Sequence, residues 1–311
     1  MAAIRTENLG KTYLSGLDHN ETTAVKALNL EVREGEVFGF LGPNGAGKTS
    51  TIHLLLNLMR PSSGQAWLFD RPVTETQVHR RVGYLPESVN LHDYYSGAAL
   101  LNFYAKLCGV PSAERPGRIA DLLRLLKLED AADKTVSKYS KGMAQRLGFA
   151  QAMLHDPDLL ILDEPTASLD PVGRKEFRDI LLELKRRGKT VFISSHILSE
   201  VETVCDRVAI LQKGELKRVG TLAELSTGRK SKLVIAELTM PLIAALAATP
   251  AEATVAHGKI TVRCPDEPTQ LVVEDLLRQH HIGILAREVE TQTLEEIFFS
   301  TVTPKPPPLP K

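Results

Sequence analysis

The chain has 311 residues, 38 Lys+Arg against 38 Asp+Glu for a formal net charge of zero, and 43% hydrophobic residues. That length favours two domains over one core, and the charge balance argues against a strongly basic nucleic-acid binder. Cys108, Cys205 and Cys264 lack C-x-x-C spacing, which speaks for a reducing compartment and against disulfides or a zinc site. The opening MAAIRTENLG has no apolar h-region, so no secretory signal is expected. No stretch approaches the roughly 18 apolar residues of a spanning helix, so work at a membrane would need a partner.

In chain order, short apolar runs alternate with helical spacing up to about residue 225, the pattern of a parallel α/β sheet. Strands are expected at residues 3–9, 28–32, 36–41, 65–68, 81–85, 159–162, 190–194 and 207–212. After the third of these, Gly42-Pro43-Asn44-Gly45-Ala46-Gly47-Lys48-Thr49 forms a complete G-x-x-x-x-G-K-[ST] loop, followed by helical spacing over 50–59. Strand, loop and helix in that order turn the pattern into a phosphate site. Gly42, Gly45 and Gly47 let the backbone curl so that successive N–H groups face a phosphate chain. A helix opening at about Lys48 adds its positive end. Lys48 would reach the β- and γ-phosphates, the Thr49 hydroxyl would complete a Mg²⁺ shell, and Ser50 would bond the α-phosphate.

Between about residues 90 and 158 the strands stop and helical spacing takes over, at 98–108, 115–126 and 145–155. A helical insertion in an α/β core is the expectation. The run LLILDEP then ends a buried strand in two adjacent carboxylates. Asp163 at the strand tip can hold Mg²⁺ through water, while Glu164, turned elsewhere by strand alternation, can polarise an attacking water.

From about residue 229 the spacing reads strand 232–237, helix 241–247, strand 253–256, a tight His257-Gly258 turn, strand 259–263, helix 269–280 and strand 283–290. That β-α-β-β-α-β order is a split β-α-β unit, closed by a helix over 293–301. Residues 304–311 are Pro-rich and expected to be extended and disordered, with a ligand for a binding module as the alternative. KRRGK at 185–189 and His280-His281 read as helix ends, not as a nucleic-acid patch or a metal pair.

The segment YSKGMAQR, with Ser140 and Gly142 just ahead of a helix at Met143, resembles the signature motif of the ATP-binding subunits of ABC transporters. Other marks of that family stand in order. Tyr13 resembles the aromatic residue that stacks on adenine, and GYLPE, ending in Glu87, resembles the Q-loop. Ser168, Leu169 and Asp170 resemble the D-loop, and His196 in ISSHILSEVE resembles the switch histidine. The resemblance covers residues 3 to about 225. It implies a P-loop NTPase core over 1–228 with an insertion at about 90–158, an accessory α+β domain over 229–303, and a tail. ATP and Mg²⁺ are the implied cofactors, with Glu87 joining Thr49 and Asp163 at the metal.

Two such domains, in a homodimer or heterodimer, would stack head to tail and bury ATP between the loop of one and the signature of the other. Ser140 and the helix end beside Gly142 would then bond the γ-phosphate in trans, and His196 would bridge it to the water polarised by Glu164. The implied unit is an exporter-type ATPase, cytoplasmic and held at the inner face of the membrane by integral-membrane permease subunits. Two motifs depart from the usual pattern. Tyr139 and Lys141 stand where LSGGQ has Leu and Gly, and Glu87 stands in place of Gln. The rival readings are a soluble ABC ATPase acting on nucleic acid or ribosomes, a GTPase switch lacking its N-K-x-D motif, and a binding-only regulator.

Overall fold

The strands expected to share one parallel sheet divide between two. The computed structural model describes residues 1–15, 20–226, 230–256, 259–290 and 293–302, in two units, Met1–Gly220 and Thr221–Lys311. The division falls ahead of the boundary expected at residue 228. The expected His257-Gly258 turn, residues 227–229 of the STGRKSK stretch and the Pro-rich tail lie outside the described residues.

The first unit runs β1 (Ala2–Ser15), β2 (Asn20–Arg33), β3 (Val37–Leu41), α1 (Lys48–Leu55), β4 (Ser63–Leu68), β5 (Arg71–Pro72) and β6 (Val82–Leu85). The insertion follows as α2 (Gly97–Leu107), α3 (Arg115–Leu125) and α4 (Lys141–Met153), with no strand inside it. The core resumes with β7 (Leu159–Asp163), α5 (Pro171–Arg186), β8 (Thr190–Ser195), α6 (Leu198–Val204), β9 (Arg207–Gln212) and β10 (Glu215–Gly220). One sheet has the order β2-β1-β4-β5 with antiparallel pairing throughout. The other has the order β10-β9-β3-β8-β7-β6, parallel except at the β10 edge.

Burial explains the division. Every residue of β3, β7 and β8 is buried, as in a parallel sheet covered on both faces. In β2, buried Val25, Leu28, Leu30 and Val32 are separated by exposed residues, the pattern of a strand with one wet face. Side-chain alternation sends Phe38, Phe40, Ile161 and Phe192 into one core with α1 and the antiparallel sheet. Val37, Leu160, Leu162 and Val191 go into the other, with α2, α3, α4 and α5. Phe192 stacks on Phe38 at 6.0 Å and tilts against Phe40 at 5.1 Å, at the centre of the first core.

Local limits of elements also follow from residues. The helix expected over 50–59 opens at Lys48 and stops at Leu55, because Asn57 turns into the left-handed region at φ 53. The parallel register aligns Leu41 with Ser195 and Asp163 with Ser194, so three strand ends deliver the phosphate loop, the paired carboxylates and His196 to one edge.

The second unit opens with α7 (Leu222–Leu225), then β11 (Lys230–Ile235), α8 (Met240–Leu246), β12 (Glu252–Ala256), β13 (Lys259–Cys264), α9 (Glu267–Gln279), β14 (Ile284–Glu290) and α10 (Leu294–Val302). Its sheet order, β12-β13-β11-β14, puts β13 between β11 and β12, the interleaving that a split β-α-β unit requires. Leu233, Ile235, Leu242, Val262, Val273 and Leu277 form its core.

Candidate functional site

The loop after β3 is shaped by close approach as much as by backbone freedom. Gly47 (φ 104) and Gly45 (φ 77) adopt the left-handed conformations expected of them. A Cβ on Gly47 would fall 2.1 Å from the Ala24 carbonyl oxygen. Gly42 is required for a different reason, since its Cβ would lie 2.7 Å from the Leu211 carbonyl oxygen. Gly47 also serves as the N-cap of α1 without a side chain to offer, and the first turn holds no acidic residue. The helix therefore presents unspent N–H groups and a positive end to the loop, the ordinary setting for a phosphate.

Lys48 is 7% exposed and its Nζ donates to the Gly42 carbonyl oxygen at 2.7 Å. The same Nζ stands 3.2 Å from Glu164 Oε1, and that oxygen, although buried, accepts no hydrogen bond. Thr49 is exposed and Ser50 is half-buried. Ser50 Oγ meets the Tyr13 hydroxyl at 3.1 Å, so the aromatic residue and the loop are joined before any ligand arrives.

The paired carboxylates are held by β8. Asp163 is 1% exposed and its Oδ1 accepts from the Ser194 hydroxyl at 2.5 Å. Glu164 lies past the strand end at φ 47, its N–H donating to the Ser194 carbonyl oxygen at 3.2 Å. Strand alternation was the expected reason for its different direction; the actual reason is this left-handed residue, a strained conformation for Glu that costs on the order of 1–3 kcal/mol. Glu164 Oε2 meets His196 Nδ1 at 2.7 Å. Half of the His196 side chain remains exposed, against 8% for Glu164.

These groups line an open cleft of about 430 Å³, bounded by Asn44, Gly45, Ala46, Gly47, Lys48, Thr49 and Ser50, with Tyr13, Thr22, Ala24, Glu87, Glu164 and His196. Gly42, which is buried, and Pro43, which is exposed, are not among the lining residues, and Asp163 sits beneath the surface. Ser140 and Gly142 are not among the lining residues. The helix expected at Met143 begins at Lys141 instead, because Ser140 is its N-cap and Ser140 Oγ accepts from the Met143 N–H at 3.2 Å. Ser140 is exposed, and a Cβ on Gly142 would meet only ordinary contacts within the chain, the nearest at 3.6 Å from Leu169.

Sequence reading assigned no role to Ser194 or Tyr84. Burial, Asp163 and Glu87 push the Tyr84 phenol up to about 12, so it stays protonated beside two carboxylates. The available donors, the Thr49 hydroxyl and the Asp163 and Glu87 carboxylates, are all hard oxygens. Among the described residues no group of three or more His, Cys, Asp or Glu could cage a metal ion. That sparse oxygen set suits Mg²⁺ brought in with phosphates.

Residues 25–167 match the family model described as ABC transporter. An uncharacterized ABC transporter ATP-binding protein of Nostoc sp. is 47% identical over 227 residues, covering 72% of this chain and 68% of that protein. The fluoroquinolones export ATP-binding protein of Mycobacterium tuberculosis is 38% identical over 69% of this chain and 70% of its own length. Among solved structures, cbiO1 from Clostridium perfringens, part of the ABC transporter complex cbiONQ, superposes with a TM-score of 0.64. It is 28% identical and covers 72% of this chain and 90% of its own.

Proposed function

The chain belongs to the ATP-binding proteins of ABC transporters, as an ATP-hydrolysing subunit, and from that premise we propose that it drives export by head-to-tail dimerisation around ATP. The observation that carries the chemistry is the Glu164–His196 pair, 2.7 Å apart, opening on the phosphate-loop cleft. Glu164 Oε1 is buried, accepts no hydrogen bond and is paired with Lys48 at 3.2 Å; once Lys48 turns to the phosphates, that oxygen can take the proton of an attacking water. His196, half exposed beside it, holds that carboxylate and faces the γ-phosphate.

Lys48 exchanges its Gly42 carbonyl contact for the β- and γ-phosphates, while the backbone N–H groups of Gly45, Gly47 and Lys48 and the end of α1 cradle them. Ser50 bonds the α-phosphate and Tyr13 offers its ring to adenine. Thr49, Asp163 and Glu87 would hold Mg²⁺, which would supply charge neutralisation at the phosphates.

Ser140 and Gly142 are proposed to serve a second subunit. Their absence from the lining of their own cleft and the exposure of Ser140 support that reading, and the Ser140 hydroxyl, although it accepts from Met143, keeps a hydrogen to donate. Among the described residues no helix is long and apolar enough to cross a membrane, so transport needs an integral-membrane permease, which would hold this subunit at the cytoplasmic face. The proposed docking surface is the helical insertion with the Glu87 segment. Tyr94 is 96% exposed there, and Tyr95 stacks on Phe103 at 6.2 Å. Export is proposed on the relative named for it, and the relatives' transport names argue against the nucleic-acid alternative.

The test is turnover. Glu164→Gln should bind ATP as the wild type does and hydrolyse it at least about 100-fold more slowly. Wild-type turnover in that variant would remove the catalytic assignment.

A further inference from the structure

Hydrogen bonds at two places join the segment leaving β7 to the segment leaving β8. The first is Glu164 Oε2 with His196 Nδ1, at the cleft. The second lies behind it, where the Thr166 hydroxyl donates to Glu200 Oε2 at 2.5 Å. Thr166 stands two residues beyond Glu164, and Glu200 four beyond His196. Thr166 is 4% exposed and the Glu200 side chain 18%.

An acid in the first turn of a helix is often no more than a favourable charge on the macrodipole. Glu200 departs from that reading in two ways. No side-chain hydrogen bond caps α6, and Glu200 reaches away from its own helix end to the Thr166 hydroxyl. Its second oxygen, Oε1, is buried without a hydrogen bond and lies 3.6 Å from Arg174 Nε. Arg174 Nε in turn donates to the Leu169 carbonyl oxygen at 3.1 Å. One carboxylate thus touches the loop after Glu164, the helix after His196 and the arginine that holds Leu169.

We propose that Glu200 is a positioning residue for hydrolysis. It fixes the separation of the two segments, so that Glu164 and His196 keep their working distance without a bound nucleotide to organise them. Through Arg174 the same clamp sets the Ser168–Asp170 loop, whose Leu169 side chain lies against Gly142. The inference rests on the reading of Glu164 and His196 as the catalytic pair. A clamp of this kind acts on the chemical step and leaves nucleotide binding to the phosphate loop.

Steady-state ATP hydrolysis by the full chain tests it, using Thr166→Val, Thr166→Ser, Glu200→Ala and the Val/Ala double variant, with Glu164→Gln as control. Thr166→Val removes the hydroxyl at nearly constant shape and should lower kcat about tenfold, with KM for ATP within about twofold. Glu200→Ala also releases Arg174, so it should lower kcat at least as far, and the double variant should be no worse than Glu200→Ala, which has already lost the Thr166 contact. Thr166→Ser keeps the hydroxyl and should recover to within about twofold of wild type. Wild-type kcat in Thr166→Val overturns the proposal, as does a Thr166→Ser variant as impaired as Thr166→Val. Turnover in Glu164→Gln would instead defeat the catalytic reading, whereas an inactive Glu164→Gln beside a normal Thr166→Val defeats the clamp alone.

Discussion

At the scale of residues, the cleft is built from groups already paired with one another. Lys48 and Glu164 form a buried ion pair at 3.2 Å, both less than a tenth exposed. Lys48→Met strands the Glu164 carboxylate. Loss of stability should be about 2 kcal/mol in chemical denaturation, below the roughly 3–5 kcal/mol of a dry buried pair because the cleft is open to water. ATP affinity should fall by about two orders of magnitude, read by calorimetry. Gly47→Ala should be still less tolerated, since its Cβ would collide with the Ala24 carbonyl oxygen in a left-handed turn. The phosphate loop and the Asp163-Glu164 pair were legible in the sequence because each is contiguous and flanked by clear elements. Ser194 on Asp163 and Thr166 on Glu200 were not, because those contacts join residues 31 and 34 positions apart that no local spacing relates.

At the scale of elements, periodicity located strands well and assigned their partners poorly. It gave 36–41, 159–162 and 190–194 as strands, but no spacing rule says that 28–32 pairs with 3–9 in a separate antiparallel sheet. The wet face of β2 was the available clue. β5, two residues long, and the polar β10 left no apolar run to find. The two sheets share a core through Phe192, so Phe192→Ala should cost about 3–5 kcal/mol in denaturant unfolding. They are also tied at the surface, where Glu215 of β10 pairs with Lys26 of β2 at 3.1 Å and with Lys217. Hydrogen bonds from those two lysines hold the Glu215 carboxyl at about 2, below the ordinary value of about 4.3. A depressed carboxylate stabilises above its unfolded value, and that contribution fades as pH falls from about 4.3 toward 2. Carbon-13 titration of Glu215 should show a midpoint near 2; one in the ordinary range would show the lysines are not engaged.

At the scale of the whole molecule, the central observation is which residues one chain brings to the cleft. One chain supplies the loop, Tyr13, Glu87, Glu164 and His196 to it, while its own Ser140 and Gly142 lie elsewhere. Nothing among the described residues asks for glycine at 142, where a Cβ would meet no contact closer than 3.6 Å; the proposed approach of another subunit would. The zero net charge removes any strong self-repulsion between copies. In the proposed dimer ATP would be part of the interface as well as the substrate, and hydrolysis would release it. The most direct measurement is the mass of Glu164→Gln in solution, with and without ATP and Mg²⁺, by light scattering. ATP-driven dimerisation requires one chain without nucleotide, two with it, and one again when Ser140→Ala is added. A mass that stays at one chain while calorimetry shows ATP bound, or a dimer indifferent to ATP, would contradict it.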